Sequence, residues 1–69
     1  PPPMESIRVP FSDLQTHLRG YRAQALPEYS NGKRHVYFVP SAKTYITVRS
    51  VGGQAELEFT ADCPCSYDD

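Results

Sequence analysis

This sequence of 69 residues lacks any long hydrophobic run. No apolar segment approaches the roughly 18 residues that cross a bilayer, and no charged segment followed by an apolar stretch marks a secretory signal. The sequence therefore predicts a protein that does not associate with membranes.

The sequence also lacks catalytic motifs. It contains no glycine-rich phosphate loop, no nucleophile elbow and no HEXXH metal motif. Asp13 and His17 are four residues apart on a predicted helix, but that spacing typically gives a modest surface contact, and no nucleophile accompanies it. We therefore expect a non-enzymatic protein with no catalytic residue and no cofactor.

Cysteine is scarce, with two residues in the motif Cys63-Pro64-Cys65. A structural zinc site needs four ligands, and the other soft ligands are only His17 and His35, so no metal site is expected. A disulfide between the two cysteines would close a very tight ring. The sequence thus predicts free thiols in a reducing compartment, and hence an intracellular protein, cytoplasmic or nuclear.

The composition is typical of a folded chain, with 39% hydrophobic and 22% charged residues. The charge is uneven: residues 1–54 hold all seven Lys and Arg and three acids, a balance of +4, whereas residues 55–69 hold five acids, a balance of -5. Two explanations remain open at this point. The acids pair across a sheet and continue into a solvated tail, or the tail shields a basic surface meant for an anionic partner.

The length allows one domain that buries only about 60% of its unfolded surface. The triple proline at the start is typical of a linker, so we expect a domain cut from a longer protein, unless Met4 is the true start. The predicted organisation is an extended lead-in at residues 1–4, a single small domain at 5–61 and an acidic C-terminal tail at 62–69.

Local patterns predict an α+β fold: a short N-terminal strand, one helix and a three-stranded antiparallel β-meander. Ser12 and Gln15 fit a capping box at the start of the helix. Gly20 either ends the helix in a left-handed conformation or lies inside a helix that reaches about Ala25. The helix stripe is Leu14, Leu18 and Tyr21; the predicted strands are Glu5 to Val9, Arg34 to Val39, Thr44 to Val51 and Ala55 to Ala61.

The register of the last two strands follows from Gly52-Gly53, which suits a two-residue hairpin turn. It places Val51 opposite Gln54 and Arg49 opposite Glu56. One face of this hairpin then carries Ile46, Val48, Leu57 and Phe59, and the other carries Tyr45, Thr47, Arg49, Glu56 and Glu58.

The preceding hairpin, within the sequence HVYFVPSAKTYITV, has apolar or aromatic residues at consecutive positions, so two registers are possible. A five-residue loop from Pro40 to Thr44 places Phe38 opposite Ile46, whereas a four-residue loop reverses the faces. We favour the five-residue loop because it gives the larger continuous core. The helix would then cover Val36, Phe38, Ile46, Val48, Leu57 and Phe59.

The remaining side chains predict a binding surface on the uncovered face: His35, Tyr37, Val39, Tyr45, Arg49 and Val51. Tyrosine and arginine are favoured at interface centres, so we predict a protein-interaction module, an adaptor or scaffold, that binds a partner or itself as a homodimer through this face or a sheet edge. The alternative is a nucleic-acid-binding module that uses the same face, although Glu56 and Glu58 would repel phosphates. A third interpretation is that the N-terminal strand, the helix or a second copy of the chain simply covers this face.

Overall fold

The structure is a computed structural model that describes residues 5–65 of the chain. The elements within that range are β1 (Glu5–Val9), α1 (Phe11–Gly20), β2 (Gln24–Ala25), β3 (His35–Val39), β4 (Thr44–Val51) and β5 (Gln54–Thr60). The strands form a five-stranded antiparallel sheet in the order β1-β5-β4-β3-β2, so the predicted α+β class is confirmed. The predicted lead-in at residues 1–4 and residues 66–69 of the predicted tail lie outside the described range.

The predicted meander corresponds to β3, β4 and β5. Its second turn is Gly52-Gly53, with φ angles of 57° and 79°, a conformation that favours glycine. Val51 lies opposite Gln54 and Arg49 opposite Glu56, so the predicted register is confirmed. Two further strands flank the meander, because β1 pairs with β5 and β2 pairs with β3. Sequence patterns missed β2, which is too short, at two residues, to show an alternation.

The loop between β3 and β4 has four residues, Pro40–Lys43, and the favoured five-residue loop is wrong. Residues 40–42 form a 3₁₀ turn, and Lys43 takes the left-handed conformation with a φ of 49°. This combination reverses the chain in four residues, so that Thr44 already pairs with Val39.

That one-residue difference exchanges the two faces of β3. Phe38 lies opposite Tyr45, and Val36 shares their face, which we call the second face because it points away from α1. Tyr37 lies opposite Ile46 on the helix face, the side packed by α1. The prediction that the helix covers Val36 and Phe38 is therefore wrong.

The helix begins at Phe11, one residue before the predicted cap. Pro10 occupies the N-cap position with φ -58° and ψ 145°, and no side chain caps the helix. The carbonyl oxygen of Pro10 accepts the N–H of Asp13 at 2.9 Å. The predicted capping box of Ser12 and Gln15 does not form, because Ser12 already lies inside the first helical turn.

The helix ends in a Schellman motif built without a left-handed glycine. The N–H of Ala23 donates to the carbonyl of Leu18 at 2.9 Å, and the N–H of Arg22 donates to that of Arg19 at 3.0 Å. Arg22 carries the left-handed backbone, with a φ of 55°. Gly20 is the last helical residue, so neither predicted role of Gly20 holds.

Arg22→Gly is expected to raise the free energy of unfolding by about 1 kcal/mol, because the left-handed conformation is unfavourable for residues with a Cβ and not for glycine. Arg19→Gly is the matched control in the last helical turn, and it should lower the same quantity by about 1 kcal/mol or less. Urea denaturation measures both values. A destabilising Arg22→Gly would contradict this helix end.

The main core lies between α1 and the helix face. Ile46 and Leu57 have 0% of their surface exposed, and Leu18 of α1 packs into the same cluster. The rings of Tyr21 and Phe59 meet edge to face with centroids 5.6 Å apart. The predicted helix stripe is therefore confirmed. The buried members of the cluster are Val9, Leu18, Val39, Ile46, Val48, Ala55 and Leu57.

Val36 is buried on the second face, where α1 cannot reach it, and only 1% of its surface is exposed. Its backbone binds the segment that follows β2: Leu26 N–H donates to the Val36 carbonyl at 2.8 Å, and Val36 N–H donates to Ser30 Oγ at 2.9 Å. Ser30 Oγ in turn donates to the Leu26 carbonyl at 2.8 Å. This loop contains the 3₁₀ turn Pro27–Tyr29. It therefore continues along the edge of β3 with which β2 pairs.

Candidate functional site

The six predicted site residues do not share one surface. Tyr45, Arg49 and Val51 lie on the second face, where they were predicted. The register places the other three on the helix face. Val39 belongs to the buried core and Tyr37 packs against it, whereas His35 is exposed. Their predicted role in binding stays a prediction, but one continuous patch of all six is not formed.

The second face has an aromatic pair that the predicted register had separated. The rings of Phe38 and Tyr45 have centroids 4.9 Å apart and are tilted by 46°. Both side chains are half-buried. The extra aromatic side chain on this face is therefore Phe38. Tyr37, which was predicted to lie here, packs instead against the core on the helix face.

On the same face, a carboxylate bridges three strands. Register places Arg8 of β1 and Arg49 of β4 on either side of Glu56 in β5. Arg8 Nε donates to Glu56 Oε2 at 3.3 Å, and Arg49 Nε donates to Glu56 Oε1 at 3.0 Å. Arg49 Nη2 also lies 3.0 Å from Glu56 Oε1 and 3.2 Å from Glu58 Oε1. Two arginines and two glutamates thus neutralise one another locally.

The carboxyl of Glu56 is held in its charged form. Only 7% of the residue is exposed. The hydrogen bond from Arg49 lowers the pKa of Glu56 most, burial opposes this by raising the pKa, and Arg8 lowers it further. The glycine turn predicts Arg49 opposite Glu56 but says nothing of Arg8. The alternation in Glu5–Val9 is the one signal for Arg8, because it places Arg8 on the opposite face from Ile7 and Val9.

The outer edge of β1 is the third feature. β1 pairs with β5 on one side, and no strand among residues 5–65 pairs with its other side. Its first four residues, 5–8, are exposed. Ile7 is 37% exposed and Phe11, at the start of α1, is 50% exposed; these are the exposed large hydrophobic residues of the described range. We call this surface, formed by β1, Ile7 and Phe11, the β1 edge.

The two cysteines form a disulfide, so the prediction of free thiols is wrong. One intervening residue is enough to hold their Cα atoms 5.2 Å apart, within the range that a disulfide spans. Both cysteines are exposed. The carbonyl of Pro64 between them accepts a hydrogen bond from Arg34 Nη2 at 3.0 Å. The reducing compartment that was predicted from free thiols therefore no longer follows.

No protein-family model, curated protein or solved structure matches this chain. Within residues 5–65, no cluster of three or more His, Cys, Asp or Glu side chains is placed to hold a metal ion. No helix in that range has the length and apolar character needed to cross a membrane. The function is therefore inferred from the pairing, burial and charge of the surfaces described above.

Proposed function

We propose that this chain is a non-enzymatic protein-interaction module that binds an extended segment of a protein partner along the β1 edge. An edge strand offers unpaired N–H and C=O groups, and an added strand satisfies them in the mode called β-augmentation. The observation that carries the proposal is the coincidence of this unpaired strand with the exposed side chains of Ile7 and Phe11.

The charges of β1 support the same choice. Natural edge strands are often protected by charged side chains that discourage further pairing. Arg8, the cation of this strand, reaches back across the sheet to the carboxylate of Glu56. Ile7 lies on the other side of the strand, opposite Leu57, and is partly exposed because it is at the sheet margin. The edge is therefore bordered by the apolar side chains of Ile7 and Phe11, its cation is paired with Glu56, and its other charge is the exposed Glu5 at the start of the strand.

The predicted nucleic-acid alternative has less support. A single-stranded nucleic acid needs free cations beside aromatic side chains. Arg8 and Arg49 share the second face with the aromatic pair, but both are paired with Glu56, and Arg49 also meets Glu58. A phosphate would have to displace these carboxylates. Absence of salt-dependent binding to short single-stranded RNA would agree with this reasoning.

The binding test uses random extended peptides selected by display against the folded domain. Selected peptides are expected to shift the backbone amide signals of Glu5–Val9 in NMR spectra. Ile7→Lys combined with Phe11→Ser should weaken binding at least about tenfold, which corresponds to about 1.4 kcal/mol. Ala42→Lys, at an exposed loop position away from β1, is the control and should bind normally.

The location of the shifts decides the outcome. Shifts confined to Tyr45, Arg49 and Val51 would reject the β1 edge and return the site to the second face. Failure to select any peptide would reject β-augmentation. The solution mass of the isolated domain tests the predicted homodimer, since a dimer that Ile7→Lys dissociates would make a second copy the occupant of the edge.

A further inference from the structure

The turn between β4 and β5 sets the direction in which each backbone group of the sheet points. Because the turn consists of Gly52-Gly53 alone, the flanking pair, Val51 and Gln54, exchanges both backbone hydrogen bonds. Pairs that exchange bonds alternate with pairs that do not, so Arg49 and Glu56 form the next bonded pair of the hairpin. The backbone groups of Glu56 therefore point to β4, and those of its two neighbours in β5 point to β1.

The same alternation determines which backbone groups of β1 point away from the sheet. Ile7 lies opposite Leu57, whose backbone groups point to β1, so these two residues exchange hydrogen bonds. The N–H and C=O groups of Ser6 and Arg8 then point outward. Pro10, the next residue of that series, has no N–H group. The outward groups of β1 are therefore those of Ser6 and Arg8.

The opposite margin of the sheet follows the same alternation. Continued across β4, it directs the backbone groups of Val36 in β3 away from β4. The Val36 carbonyl accepts the N–H of Leu26 at 2.8 Å, and the Val36 N–H donates to Ser30 Oγ at 2.9 Å. The loop after β2 thus satisfies the outward groups of β3, whereas no strand among residues 5–65 pairs with those of β1. The β1 edge is the margin that another strand can extend.

The side chains of β1 determine what an added strand meets on the helix face. Glu5 and Ile7 share that face and are both exposed, and Phe11 is exposed at the start of α1. Toward an added antiparallel strand, both positions of β1 form pairs that exchange no backbone bonds. Such pairs bring side chains closest, with Cα atoms about 4.5 Å apart. One partner side chain therefore meets Ile7, and a second one, two positions away, meets the Glu5 carboxylate.

The charges along β1 favour a cation in the second of those positions. Arg8 points to the second face and is paired with Glu56. Glu5 makes no ion pair within residues 5–65. Opposite charges facing each other across two strands are favourable, and like charges there are unfavourable. A partner strand with a lysine or arginine opposite Glu5 therefore fits this edge better than one with an acid.

We propose that the β1 edge binds an antiparallel strand of a partner protein that has a large apolar residue two positions before a lysine or arginine. The apolar side chain contacts Ile7, the cation pairs with Glu5, and the residue between them exchanges both backbone bonds with Ser6. The direction is antiparallel because the bonds are then perpendicular to the strands and the pairing is slightly more stable than in a parallel strand. This inference rests on the proposed function and specifies the chemistry of its partner.

Three synthetic peptides with blocked ends test the order and the charge. The first is Thr-Val-Thr-Ile-Thr-Lys-Thr, the second is the same sequence reversed, and the third has glutamate in place of lysine. In NMR titrations of the folded chain, the first should bind about threefold tighter than either of the others. It should also slow hydrogen exchange of the Ser6 and Arg8 amides, whereas the Ile7 amide is protected by β5 with or without peptide.

Glu5→Lys reverses the charge at the proposed cation site. In this variant the glutamate peptide should bind about threefold tighter than the lysine peptide. Ala42→Lys adds a lysine at an exposed loop position away from β1 and should keep the original preference. An unchanged preference in Glu5→Lys would overturn the proposed role of Glu5.

Methyl groups on the peptide backbone test the predicted direction of the hydrogen bonds. N-methylation of the threonine between isoleucine and lysine removes the donor to the Ser6 carbonyl, so binding should weaken at least about tenfold. N-methylation of the isoleucine should be tolerated, because that N–H points away from β1. Equal losses from the two methyl groups would overturn the assignment of Ser6 and Arg8 as the bonding residues.

The outcomes separate this inference from the proposed function. Displayed peptides that shift the signals of Glu5–Val9 but lack the apolar and cationic pair would overturn the inference and leave the proposed function standing. A display selection that yields no binding peptide would overturn both. Slow exchange of the Ser6 and Arg8 amides in the chain alone, together with a doubled solution mass, would make a second copy the occupant and overturn the proposed partner.

Discussion

Leu57→Ala is expected to lower the free energy of unfolding by about 3 kcal/mol. Leu57 has 0% of its surface exposed, and register places it between Ile7 of β1 and Val48 of β4. Truncation of a fully buried leucine removes its transfer energy and leaves a cavity, which together cost about 2–5 kcal/mol. A chain of 69 residues has about 3–10 kcal/mol of stability in all, so this substitution should remove about a third of it or more.

Urea denaturation followed by circular dichroism measures this loss. Leu57→Met is the matched control, because it nearly conserves volume and should cost less than about 1.5 kcal/mol. Equal small effects of the two substitutions would mean that Leu57 is not at the centre of the core. That result would contradict the packing of α1 over β5.

Glu56→Gln is expected to lower the melting temperature more at neutral pH than in acid. The pKa of Glu56 is lowered from its ordinary value of 4.5 in the folded chain, chiefly by the hydrogen bond from Arg49. A carboxyl whose pKa is lower in the folded state stabilises that state fully above its unfolded pKa. This contribution disappears as the pH falls through the folded pKa, when the proton neutralises the carboxylate.

The measurement is a series of thermal unfolding curves from neutral to strongly acidic pH. The curves of the unmodified chain and of Glu56→Gln should converge as the pH falls below the ordinary pKa of 4.5 and through the lower pKa of Glu56 in the folded chain. Glu58→Gln is the control, because Glu58 is more exposed and meets Arg49 alone in the described range. A constant difference between Glu56→Gln and the unmodified chain at every pH would show that charge at Glu56 does not stabilise the fold.

Local chemistry explains which parts of the fold were predictable. The Gly52-Gly53 turn requires positive φ at both positions, and it sets the register of β4 and β5 within a few residues of the turn. The stripe of Leu14, Leu18 and Tyr21 follows from helical spacing alone. These features depend on neighbours in the sequence, and so they could be inferred without knowledge of the fold.

The loop before β4 could not be predicted in the same way. In β3, apolar or aromatic side chains occupy four consecutive positions, Val36–Val39, so alternation does not indicate which of them face α1. The left-handed conformation of Lys43 sets the register, and a lysine gives no signal for it. The loop after β2 then provides hydrogen-bond partners for the backbone of Val36 at the edge of β3. The predicted site was split because three of its six residues depended on this register.

The sequence by itself determined the α+β class, the helix stripe and the second hairpin, because periodicity and turn chemistry act over short distances. Only the tertiary structure decided which surface is exposed. Arg8 is paired with Glu56, 48 positions away in the sequence, and Ile7 and Phe11 are exposed because α1 and the sheet leave the margin of β1 uncovered. Burial at a sheet edge depends on which elements pack beside it, and that information is spread over the whole chain.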